Sequence, residues 1–126
     1  MTINERIIQA VTINERIIQA VTPVVSVCVP DLYDPNQENA ADEFCVFSYT
    51  ETPDFFTDNT PQICRYTISL VWAMPIKRQS MKKKKDLTDS LMSAGFDVLG
   101  VYNVSDEDFQ QYEFELEYTD FLEDSP

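Results

Sequence analysis

The chain has 126 residues, 22 of them acidic and 9 basic, for a formal net charge of -13. That length makes one domain with a real core the expectation, and 44% hydrophobic residues are too many for a wholly disordered polymer. The carboxylate excess argues against general nucleic-acid binding, which needs Lys and Arg to neutralise phosphates. It favours solubility, basic partners, or a surface that lets DNA pass without holding it.

The first element is written twice. T-I-N-E-R-I-I-Q-A-V occupies Thr2 to Val11 and recurs letter for letter from Thr12 to Val21. In each copy Thr and Glu stand three apart, a capping box that starts a helix. Ile3, Ile7, Ala10 and Val11, and in the second copy Ile13, Ile17, Ala20 and Val21, then share one helical face. Ten residues at about 100° each rotate the second stripe by about 80° from the first. One helix through both copies would have a smeared apolar face; the alternative is a restart at Thr12. Repeat architectures use periods of about 20–50 residues and at least three copies. The repeat is therefore expected to be a local tandem duplication, natural or engineered, of which one copy suffices. Pro23 stops the helix.

Strands follow. "VVSVCV" (24–29) is short and β-branched, "PDLYDPNQENAADE" is a polar loop, and "FCVFSYT" (44–50) is apolar on both faces, as in a central strand. "ETPDFFTDNTPQ" (51–62) reads as a loop with adjacent aromatics, Phe55 and Phe56. "CRYTISLVWAM" (64–74) alternates, with Tyr66, Ile68, Leu70, Trp72 and Met74 on one face. A helix is predicted from about Ser80 to Ala94, with Leu87, Leu91 and Ala94 in a narrow apolar stripe flanked by Met81, Thr88 and Met92, Gly95 as the left-handed stop and Phe96 folding back on the last turn. "DVLGVYNV" (97–104) is a weaker strand and "SDEDFQ" a turn. "YEFELEY" (112–118) alternates, with Tyr112, Phe114, Leu116 and Tyr118 inward. The expected domains are a duplicated helical segment over 1–21, an α+β domain over 22–118 and an acidic tail over 119–126. The order α-β-β-β-α-β-β predicts an α+β fold: an N-terminal helix, a mixed, mostly antiparallel sheet of about five strands, and one central helix packed on it.

No chemical site is legible. There is no histidine and only two glycines, so neither a general acid–base pair nor a phosphate-cradling loop is expected. Cys28, Cys45 and Cys64 lie far apart among apolar residues and read as reduced core thiols, not zinc ligands. The odd count and the lack of a recognisable signal peptide suggest an intracellular setting. No apolar run reaches the ~20 residues of a membrane span. The expectation is a non-enzyme without cofactor or metal.

Three features suit interaction instead. Lys82, Lys83, Lys84 and Lys85 crowd the start of the second helix, where the dipole disfavours cations. They form either a solvated face or a docking patch for an acidic surface. Glu113, Glu115 and Glu117 form a ladder of like charge that a basic partner would relieve. Phe55 and Phe56 either tuck under their loop or form an apolar contact tip.

The phrases "TINERIIQAVTPVV", "CVPDLY", "FSYTETPDFFTDNTPQ", "KKKK", "SAGF" and "DEDFQQYEFE" resemble those of small proteins from tailed phages of Gram-positive hosts. These are the head–tail joining or tail terminator (tail completion) proteins. The resemblance covers nearly all of 12–118 and rests on layout rather than a catalytic signature; the family pattern has the T-I-N-E-R segment once. It implies an α+β structural virion protein that caps the tail tube as a hexameric ring and docks to the head connector, with DNA passing through the lumen. Its implied partners are itself, the tail tube protein and the head connector protein, with no specific nucleic-acid binding and no membrane. Its implied location is the virion, and the host cytoplasm during assembly. Residues 51–62 carry over as a contact loop. The alternative reading is a small acidic inhibitor or DNA mimic that binds a basic host factor.

Overall fold

A computed structural model describes the backbone of residues 13–57, 60–76 and 80–121, and the side chains of residues 13–53, 63–76 and 80–120. Helix α1 (residues 13–21) lies wholly in the second copy of the duplicated segment. The first copy falls outside the described residues. After α1 come β1 (Cys28–Pro30), β2 (Phe44–Thr57), β3 (Thr60–Pro75), α2 (Met81–Ser93), β4 (Asp97–Asn103) and β5 (Phe109–Phe121). The predicted α+β order holds. One five-stranded sheet runs β1-β2-β3-β5-β4. The β1–β2 pair is parallel and the other pairs are antiparallel.

The period-2 pattern of β3 explains its central place. Cys64, Tyr66, Ile68, Leu70, Trp72 and Met74 are all buried on one face, because alternate side chains of a strand leave on the same side. Against them pack Phe47 of β2, Phe114 and Leu116 of β5, Leu87 and Leu91 of α2, and Ile13, Ile17, Ala20 and Val21 of α1, in one continuous core. The helices thus cover one face of the sheet. They touch each other where the Ser90 hydroxyl donates to the Ala20 carbonyl at 2.6 Å.

The end of α2 follows its sequence signals. Gly95 has φ 95°, its N–H bonds the Met92 carbonyl and that of Phe96 bonds Leu91, closing a Schellman motif. Phe96 is buried. At the β4–β5 turn, the Asp106 carboxylate accepts the N–H groups of Phe109 (2.8 Å) and Asp108 (2.9 Å), which holds its carboxyl below the usual range.

Several boundaries depart from expectation, the start of β5 among them: it lies at Phe109, three residues before the expected Tyr112, because Phe109, Gln110 and Gln111 pair with Pro75, Met74 and Ala73. The strand expected over 24–29 shrinks to Cys28–Pro30, because the amides of Val24 and Val25 both turn back to the Val21 carbonyl at 2.9 Å. The loop expected over 51–62 is instead the end of a long hairpin, with β2 and β3 paired as far as Thr57 and Thr60. Proline does not stop β2. It is paired with β1 only over Cys45–Phe47, and beyond that it is an edge strand, where a missing N–H can face away from the ladder. Pro61 lies opposite Phe55, between two shifts of register, the kind of irregularity that absorbs a proline. Finally, β5 runs to Phe121, since Thr119, Asp120 and Phe121 pair with Arg65, Cys64 and Ile63 of the same arm. Three residues expected in the tail therefore belong to the sheet, and 122–126 fall outside the described residues.

Trp72 is 0% exposed, so Trp72→Ala should cost about 3–5 kcal/mol in urea unfolding; a loss under about 1 kcal/mol would place the ring at the surface. The thiols give a second check. All three cysteines are free and buried, and burial pushes Cys28 and Cys64 up to about 12 from an ordinary 9.0. Well below pH 9.0 both folded and unfolded thiols are neutral. Above it the unfolded chain ionises first, so stability should fall as pH rises from 9.0 towards 12. A thiol reagent should label no cysteine of the native protein and all three in denaturant.

Candidate interaction surfaces

The lysine cluster is built into the fold at its centre and open at its edges. Lys83 reaches Glu43 at 2.5 Å. The other oxygen of Glu43 accepts the indole N–H of Trp72 at 2.8 Å. Lys84 lies over the Tyr112 ring, 5.0 Å from its centroid; hydrogen bonds with Ser80 and Gln110, and to a lesser degree the Lys84 charge, lower the phenol's pKa. These two lysines serve their own chain. Lys82 and Lys85 make i,i+4 pairs with Asp86 (2.9 Å) and Asp89 (3.5 Å), yet their side chains are 90% and 78% exposed. Such pairs are worth little in water and leave the ammonium groups available. With four lysines against two aspartates, α2 stays basic.

The glutamate ladder lies on the other side of the sheet. Glu113, Glu115 and Glu117 of β5 stand opposite Val71, Ser69 and Thr67 of β3, on the face away from the helices. They are half-buried rather than freely exposed. Ser69 donates to Glu113 at 3.2 Å and Tyr102 to Glu115 at 3.3 Å. The Glu115 charge in turn raises the Tyr102 phenol. Gly100 makes room for this: a Cβ there would meet the Tyr102 hydroxyl oxygen at 2.5 Å. A shallow depression between Ser48, Thr50, Thr67, Ser69, Glu113 and Glu115 marks the open part of the face. Its other end is closed by Tyr33, which stacks on Phe44 at 4.5 Å with Phe109 edge-on at 5.7 Å.

The structure therefore does not bring the lysines and glutamates together; it sets them on opposite layers. Phe55 and Phe56 lie in the backbone of β2, but their side chains fall outside the described residues. A groove between the helices is lined by Glu15, Arg16, Gln19, Ser90 and Ser93. Arg16 there donates to the Tyr118 hydroxyl and lies 5.4 Å from its ring centroid.

No family model and no curated protein matches the chain. Among the described residues no group of three or more His, Cys, Asp or Glu could hold a metal ion, and no helix is long and apolar enough to cross a membrane.

Sequence reasoning missed Glu43. The signal that could have found it is the tryptophan itself, since a fully buried indole N–H needs an acceptor. Nothing in the spacing says which of 22 carboxylates supplies it. Removing that acceptor should cost about 1–3 kcal/mol, because the indole N–H is left unsatisfied. Glu43→Ala should show this in urea unfolding, while Glu43→Gln, which keeps an oxygen, recovers most of the loss.

Proposed function

We propose that this chain is a structural assembly protein that associates head to tail into a ring, as a tail terminator or head–tail joining protein of a tailed phage does. The observation that carries this reading is the separation of charge. The exposed lysines Lys82 and Lys85 lie on the helical layer, and Glu113 and Glu115 on the bare face of the sheet. Two unlike surfaces on opposite sides of a subunit are what a heterologous contact uses, and such contacts close into rings when the rotation allows. The glutamates are positioned by Ser69 and Tyr102 before any partner arrives, so little ordering is spent on contact. An acidic body also suits a lumen through which DNA must slide. In this reading the ring contacts the tail tube on one rim and the head connector on the other, and the β2–β3 hairpin is a contact arm.

Single exposed pairs contribute about 0–1 kcal/mol, so the clusters must act together, and the contact should weaken as salt shortens the screening length from about 10 Å at 0.1 M to about 3 Å at 1 M. At low salt, light scattering and negative-stain microscopy should show rings of the parent chain. The double variant Lys82→Glu, Lys85→Glu spares Lys83 and Lys84 and should be a folded monomer. Adding Glu113→Lys and Glu115→Lys should partly restore rings. A parent that stays monomeric at every salt concentration, or rings indifferent to the reversal, would refute the reading.

A further inference from the structure

We propose that the α1 seat has two interchangeable occupants in one chain: residues 2–11 can dock where residues 12–21 dock, displacing them. The two segments are identical, and Thr12 and Thr22 extend the match by one residue. The contacts that the seat makes with α1 fall on side chains present in both copies. Ile13, Ile17, Ala20 and Val21 fill the core, and their counterparts are Ile3, Ile7, Ala10 and Val11. Arg16, which meets the Tyr118 ring and hydroxyl, corresponds to Arg6. The Ala20 carbonyl that accepts from Ser90 corresponds to that of Ala10. Nothing in these contacts distinguishes one copy from the other.

The difference lies just past the helix. With the second copy seated, Thr22 bonds Ile18, Val24 and Val25 bond Val21, and Val25 is 1% exposed. With the first copy seated, Ile13, Asn14 and Glu15 follow in place of Pro23, Val24 and Val25. That turn is lost, and the path to β1 lengthens from residues 22–27 to residues 12–27. Loop closure depends only weakly on length, and this extension disfavours the first copy by roughly fourfold. The second copy is thus the major occupant, as the structure has it, and the first is a tethered reserve. Tethering gives it an effective concentration that a copy on another chain does not have in dilute solution.

Three full-length variants test this: I7D, I17D and I7D/I17D. Ile17 is 0% exposed, so a carboxylate there should evict the second copy. If the reserve takes its place, I7D unfolds in urea like the parent. I17D should keep a cooperative transition followed by Trp72 fluorescence, with its folding constant lowered by roughly ten- to thousandfold. Small domains with folding constants of about 10³–10⁸ can absorb such a loss. The double variant loses the transition. Hydrogen exchange read by mass, which the substitution makes possible for otherwise identical peptides, should show protection moved to 2–11 in I17D, on a monomer. Four results overturn the proposal. They are an I17D chain as unfolded as the double variant, a double variant as stable as I17D, protection on neither copy, and an I17D chain that folds only as a dimer.

Discussion

Trp72 imposes the constraint around which the molecule is arranged. It is the largest fully buried side chain, on the central strand, and it carries a donor that water cannot reach. Glu43, just ahead of β2, supplies the acceptor, and Lys83 on α2 holds the other carboxylate oxygen. The approach to β2, the central strand β3 and the start of α2 are thereby fixed to one another. An unpaired buried carboxylate would cost more than it contributes, so the lysine is as necessary as the acid. This accounts for lysines at the start of a helix, where the dipole alone would exclude them: Lys83 compensates a charge, and Lys84 stacks on Tyr112.

What that arrangement leaves over is the molecule's outer character. Helices occupy one face of the sheet, while the opposite face carries the glutamates beside Ser69, Thr67, Val71 and Arg65, closed at one end by Tyr33, Phe44 and Phe109. Sheets with one wet face are ordinary in antiparallel architecture. Less ordinary is a row of like charges half-buried on that face, each of two carboxylates steadied by a neighbouring hydroxyl. The hydroxyl groups that donate to Glu113 and Glu115 ease the repulsion along the row.

The architecture was legible where periodicity is strict. The alternation of Tyr66 to Met74 and of Tyr112 to Tyr118, and the Gly95–Phe96 helix stop, each depend on residues close in sequence, and the structure reproduces them. The arm over 51–62 was misread because Pro53 and Pro61 mark loops in isolation. Pro53 is tolerated because β2 is unpaired on one side there, which only the sheet order reveals, and Pro61 because it sits on β3 between two shifts of register. The shortened β1 failed likewise: Val24 and Val25 have strand-forming side chains, but their amides are taken by the end of α1. At the candidate surfaces, residue types were visible and partners were not. The lysines and glutamates stood out as charge runs, yet which lysines the fold consumes depends on Glu43, which lies 40 residues from Lys83.

The placement of α1 also sets an order on the making of the molecule. Its arginine meets a tyrosine 102 residues further along the chain, and its last turn meets a serine 70 residues away. Helix α1 therefore has no complete site until the chain as far as Tyr118 has emerged from the ribosome. During synthesis, which adds about 5–20 residues each second, α1 waits several seconds for the partners of its apolar stripe. Contacts of such long range carry a loop-closure cost that local contacts do not, so α1 depends on the strands and helix that follow it and cannot be secured ahead of them.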